Sequence, residues 1–246
     1  MKPSKWLMPL AMTCALSGAI FGAASADAAT CTSAQWGSFT IGSFTFYNDM
    51  WGSGANTQTI CANSASNWSI TSNQPNTGGI KAYGNASYYV GKSLSSITTL
   101  SSTLSESTPS GGAWDAAYDV WDSANSVEVM IWMNYTGTSS GGGNVKPASF
   151  NWSSSGNAVP VYTNVNIGGV TYNVFEGNVG HPVISLLRTS KTNNATTDLK
   201  AVLNWIKSIG YFGNITVGQV QYGVEVTSTN SSAMTWTMSN YTVTSK

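Results

Sequence analysis

Two of the four glutamates in the chain sit in the same short setting, Val127-Glu128-Val129 and Val224-Glu225-Val226. Across 126–132, Val127, Val129 and Ile131 alternate with Glu128, Met130 and Trp132. A strand there would place a carboxylate mid-strand, on one face with a thioether and an indole. Across 219–226, Val220, Tyr222, Val224 and Val226 take one face and Gln221, Gly223 and Glu225 the other. Glutamate is a poor strand former, and a carboxylate among apolar neighbours is costly unless it is paired or kept protonated. One such residue can simply point from a half-buried strand into water. Two in matched settings point to a pair of carboxyls on one sheet face, one ionised and one protonated, which is what glycoside hydrolysis requires.

Other side chains could serve such a pair. Asp119, within 116–121, is a third carboxylate in a strand pattern, and it could hydrogen-bond one glutamate and help hold a proton; a surface aspartate near a turn is the alternative. Trp36, Trp51, Trp132 and Tyr83 could stack on sugar rings, whose C–H groups meet a π face, although any one tryptophan suits a core equally well. Glu106, Glu176 and Asp198 lie in polar or boundary contexts and are expected in solvent. His181 is the only histidine, in Gly-His-Pro, which reads as a loop. A lone imidazole without an activating neighbour leaves little room for Ser-His-Asp, Cys-His or metal chemistry, so it reads as structural. No metal and no cofactor is expected, since two carboxyls cover the proton inventory.

The composition agrees with that neutrality. Basic and acidic residues number 10 each, and only 8% of the chain is charged. Nucleic-acid binding by phosphate neutralisation needs a basic stripe that is absent here. Instead there are 36 Ser, 28 Thr and 22 Asn with 10 Trp and 11 Tyr, a hydroxyl- and amide-rich surface with many aromatics. Lys2 and Lys5, the apolar stretch from Trp6 to Phe21 and the small residues Ala24-Ser25-Ala26 read as a signal peptide over 1–26, hence a secreted, extracellular protein. Nothing later approaches a membrane-spanning run. Residues 27–246 are enough for one domain, expected to be a monomer. Cys14 would leave with the leader, and Cys31 and Cys61, left in an oxidising compartment, are expected to pair.

Short runs rich in Val, Ile, Thr, Tyr and Trp between Gly, Asn and Ser clusters give an all-β sandwich or barrel. The candidate strands are 43–48, 80–83, 113–121, 126–135, 159–167, 170–175, 182–187, 216–226 and 233–243. In 196–207, apolar residues at 199, 202, 203 and 206 follow a Thr/Asp start, which predicts one helix on the outer side of a sheet.

With these residues in place, the chain resembles glycoside hydrolase family 12, small endo-β-1,4-glucanases and xyloglucanases. Cys31 through Trp36-Gly37 resembles the family's opening Cys-x-x-Trp, with one or two residues more between them. Tyr47-Asn48-Asp49-Met50-Trp51-Gly52 resembles its Asn-Asn-x-Trp-Gly, Ile80-Lys81-Ala82-Tyr83 its Val-Lys-Ser/Ala-Tyr, and Tyr118-Asp119-Val120-Trp121 its Tyr-Asp-Ile/Leu-Trp/Phe. Glu128-Val129-Met130-Ile131-Trp132 is similar to its Glu-Leu/Ile-Met-Ile-Trp, and Tyr222-Gly223-Val224-Glu225 to its Phe-Gly-Thr-Glu.

The resemblance implies a jelly-roll sandwich of two antiparallel sheets, a concave substrate cleft and one helix on the convex side. It implies a retaining enzyme with Glu128 as nucleophile and Glu225 as general acid/base, the two carboxyls roughly 5 to 5.5 Å apart. Asp119 would hydrogen-bond Glu128, while Trp36, Asp49, Trp51, Met130 and Trp132 would bind a β-glucan substrate. Asp49 and Asp115 stand where relatives commonly carry Asn, and His181 lies in Gly-His-Pro-Val-Ile-Ser where Gly-Trp-Asn-Val-Ile-Ser is frequent. Two other classes remain open: a catalytically silent β-glucan-binding jelly roll, and a related xylanase.

Overall fold

The computed structural model describes residues 28–136 and 145–246, so the leader segment 1–26 lies outside the described residues. The chain runs through β1 (Thr30–Thr32), β2 (Ser38–Ile41), β3 (Phe44–Tyr47), β4 (Thr57–Ala62), β5 (Trp68–Asn73), β6 (Ala82–Ser93), β7 (Leu100–Ser107) and β8 (Ala113–Asp122). It continues through β9 (Glu128–Tyr135), β10 (Tyr162–Ile167), β11 (Val170–Asn178), β12 (Pro182–Arg188), β13 (Asn194–Asp198), α1 (Leu199–Ser208), β14 (Thr216–Ser228) and β15 (Met234–Ser245). Two sheets result, of six strands in the order β1-β4-β5-β15-β7-β13 and of nine in the order β10-β11-β12-β9-β8-β14-β6-β3-β2. Neighbours are antiparallel except β9 and β12, which run parallel.

Alternation decides which face goes where. Val129 and Ile131 of β9, Tyr118 and Val120 of β8, and Val220, Tyr222, Val224 and Val226 of β14 all join one core with Trp236, Met238 and Tyr241 of β15 and Ile60 and Ile70 of the six-stranded sheet. The intervening residues of β8, β9 and β14 are thereby turned to the opposite face of the nine-stranded sheet. That face carries the polar chemistry.

Six strands escaped the sequence reading, namely β1, β2, β4, β5, β7 and β13. In β7, Leu100, Ser102, Leu104 and Glu106 are the buried set, so two of the four inward positions are polar and the alternation is masked. Residues 194–198, partly assigned to the helix, instead pair with β7. The helix begins one residue later, where Asp198 accepts a hydrogen bond from the Ala201 N–H at 2.9 Å. Its buried Leu199, Val202, Leu203 and Ile206 join the core between the sheets, on the side of the nine-stranded sheet away from its polar face.

Glu106 corrects an expectation: it is 7% exposed, not solvated. Burial raises its carboxyl to about 8, partly offset by the nearby Tyr222 hydroxyl. The folded state therefore holds a proton that the unfolded state releases above about 4.5. Stability is lost as pH rises between those two values, at up to about 1.4 kcal/mol per pH unit for this one group. Glu106→Gln is expected to flatten this slope, raising the melting temperature at pH 8 and changing it little at pH 4; calorimetry across that range checks it.

Cys31 lies directly across from Cys61 in the β1–β4 ladder, and the two form a disulfide separated by 30 residues. Closing that loop restricts the unfolded chain by roughly 3.5 kcal/mol. Cys31→Ser is expected to lower the melting temperature by about 10 °C, with activity at low temperature retained; thermal denaturation with and without reductant is the measurement. At the far edge of the nine-stranded sheet, the register of β10 shifts between Tyr162 and Val165, where Asn164 adopts a φ of 54°.

Candidate active site

The polar face of β9, β8 and β14 brings the carboxyls together. Glu128 opposes Trp121, Met130 opposes Asp119 and Trp132 opposes Ala117 across β9 and β8. On the other side of β8, Gln219, Gln221, Gly223 and Glu225 of β14 oppose Trp121, Asp119, Ala117 and Asp115. All of these side chains share one face. Glu225 in turn opposes Tyr83 of β6. Position 223 has to be glycine, because a Cβ there would stand 2.3 Å from the Gly84 carbonyl and 2.8 Å from the Tyr83 ring.

Above this face lies a cleft of about 880 Å³, lined by Glu128, Glu225, Asp119, Asp49, Trp51, Tyr83, Trp121, Met130, Trp132, Trp152 and His181, among others. Of the sequence-predicted substrate residues, Asp49 and Trp51 lie on its wall, and Met130 and Trp132 form floor packed against Val183, Phe175 and Leu187. Trp36, by contrast, is 65% exposed and is not among the lining residues. It sits in the turn 34–36 that precedes β2 at one edge of the nine-stranded sheet, where the Gln35 carbonyl accepts from the Met50 N–H at 3.0 Å.

Four carboxyls crowd this face. The Asp119 carboxyl is raised well above the usual carboxylate range, by burial first and then by the negative charges of Glu128 and Glu225, with the Glu128 carboxyl beside it. The Trp121 indole N–H donates to Asp119 Oδ2 at 3.0 Å. Burial also raises Glu225, reinforced by Asp115 and Glu128. Asp115 is fully buried beside Glu225 and is raised by its own burial. Neither Asp115 oxygen meets an amide or hydroxyl donor, so its nearest means of satisfaction is the neighbouring Glu225 carboxyl. Burial and mutual charge thus favour the protonated form at Asp119, Asp115 and Glu225.

His181 lies in the turn between β11 and β12, as its Gly-His-Pro setting predicts, but it does have a polar neighbour. Its Nε2 lies 2.6 Å from Glu128 Oε2. The signal was missed because a lone histidine 53 residues from its partner has no local pattern. Trp152 was also missed; it reaches the cleft from the stretch after residue 144, within a Ser-rich segment of no periodicity.

No family model matches the chain. A xyloglucan-specific endo-β-1,4-glucanase A of Emericella nidulans is 30% identical over 226 aligned residues, covering 85% of this chain and 88% of the relative. Among solved structures, the xyloglucanase domain of a type three effector from Sinorhizobium fredii, in complex with cellobiose, is 54% identical with a TM-score of 0.85, covering 88% of this chain and 99% of that one. A family 12 xyloglucanase from Bacillus licheniformis, at 24% identity and TM-score 0.72 over 88% of this chain and 100% of that one, bears on the fold alone.

Proposed function

Because the chain belongs to glycoside hydrolase family 12 and is an endo-β-1,4-glucanase, we propose that Glu128 is the nucleophile and Glu225 the general acid/base of a retaining double displacement. The observation that carries this is the convergence of both glutamates on one face over one cleft, each beside a second acid. A protonated Glu225 is what burial and its acidic neighbours favour. In the first step an oxygen of Glu128 bonds to the anomeric carbon, the glycosidic C–O bond breaks, and the departing oxygen takes the proton of Glu225. In the second, water gives a proton to Glu225 and bonds to the same carbon, while the ester bond breaks and its electron pair returns to Glu128.

Asp119 keeps a proton near Glu128, and Trp51, Tyr83 and Trp152 offer faces along the cleft to neutral glucosyl units. Xyloglucan is the substrate that the names of the relatives support. We further propose a monomer acting outside the cell after removal of residues 1–26; among the described residues no helix is long and apolar enough to cross a membrane. Reducing-sugar release from xyloglucan, barley β-glucan, carboxymethyl-cellulose and xylan tests the reading, with Glu128→Ala as the control. Hydrolysis of a β-glucan by the wild type alone supports it. Binding without hydrolysis, or turnover confined to xylan, would sink it.

A further inference from the structure

Resting on the reading of Glu128 as nucleophile, we propose that His181 is its positioning residue, fixing the rotation of the carboxylate through a hydrogen bond from Nε2–H to Oε2. The parallel pairing of β9 and β12 puts Val183 opposite Glu128, so the residue two before Val183 reaches the start of β9 from the side. Gly180, at a φ of 108°, turns the chain there, and the Val179 N–H closes the turn on the His181 carbonyl at 3.1 Å. The imidazole then packs on the Trp121 ring with centroids 4.7 Å apart.

A nucleophile must be ionised and an ionised carboxylate can only accept, so the role of Glu128 assigns the proton of the 2.6 Å contact to Nε2. The other titratable groups that face Glu128 from β8 and β14 are carboxyls, namely Asp119, Asp115 and Glu225. His181 differs from them in bringing a donor without adding an acid. A closed ring follows: His181 donates to Glu128, Glu128 touches Asp119, Asp119 accepts from Trp121, and Trp121 packs on His181. Within it the carboxylate keeps one orientation while it attacks. As it departs in the second step, the returning negative charge spreads over a carboxylate already facing an N–H.

The test compares His181→Phe and His181→Ala, which lack the N–H, with His181→Gln, whose amide carries one to about the same place. On soluble xyloglucan, the Phe and Ala variants are expected to lose about ten- to hundredfold in kcat, the range of a hydrogen bond to a charged group, with KM nearly unchanged. His181→Gln should recover most of that loss, and all three should melt close to the wild type. Wild-type kcat in His181→Ala, or equal impairment in the Gln and Phe variants, would overturn the proposal in favour of simple packing on Trp121. Glu128→Gln runs in parallel. If it stays active, the nucleophile assignment fails and this inference falls with it; if it is inactive, the His181 variants decide on their own.

Discussion

Glu128→Gln is expected to lose on the order of 10⁴-fold in kcat on xyloglucan, which corresponds to about 5.5 kcal/mol of barrier, while its fold and substrate binding persist. The amide nearly matches the carboxylate in shape, so the floor of Met130, Trp132 and Val183 stays packed. What disappears is the anion that must bond to the anomeric carbon. Glutamine still offers His181 an acceptor oxygen at the position of Oε2. The loss should therefore fall on chemistry, with the melting temperature within a few degrees of wild type. Single-turnover kinetics with an aryl β-cellobioside bearing a good leaving group separates the steps: no burst of aryl alcohol should appear. A burst of wild-type size would remove Glu128 from the mechanism.

Glu225→Ala carries the second large effect, and its pattern differs. Loss of a general acid should slow polysaccharide cleavage by about 10²- to 10⁴-fold. With a dinitrophenyl cellobioside, whose leaving group needs no proton, the first step should survive and the glycosyl-enzyme should accumulate. Azide, small enough to enter the space left by the side chain and already anionic, should restore turnover and yield a β-glycosyl azide. An α-azide from Glu225→Ala together with a β-azide from Glu128→Ala would exchange the two roles.

The wild-type pH profile has a definite sign. Glu225 is raised by burial, by Asp115 and by the charge of Glu128. The first step needs its proton, so kcat/KM should fall as pH rises through that elevated value. Once Glu128 is esterified its charge is gone, and Glu225 ionises more readily when a base is needed for water.

The catalytic face was legible in the sequence because alternation around Glu128 and Glu225 is strict, with valine on both sides of each. Strand β14 extends over Thr216–Ser228 against an expected 216–226, and β9 over Glu128–Tyr135 against 126–135. Legibility failed where inward positions are polar. Ser102 and Glu106 in β7 and Gln58 in β4 are buried, so polar side chains stand where an alternation signal needs apolar ones. Long-range placement was the second blind spot. His181 meets Glu128 because β9 and β12 run parallel side by side, and no local spacing encodes that pairing. Asp115 stood out only as a departure from the Asn common in relatives, because its burial beside Glu225 depends on the β8–β14 register.

The irregularity of β10 has a consequence for life at high concentration. A straight outermost strand would present a row of unused amides to any passing molecule, an invitation to stack sheet on sheet without limit. Here Asn164 bends the ribbon out of step, and its amide N–H is occupied by the Asn173 side chain at 3.1 Å. This margin of the large sheet is thereby blunted as a template for fibre growth.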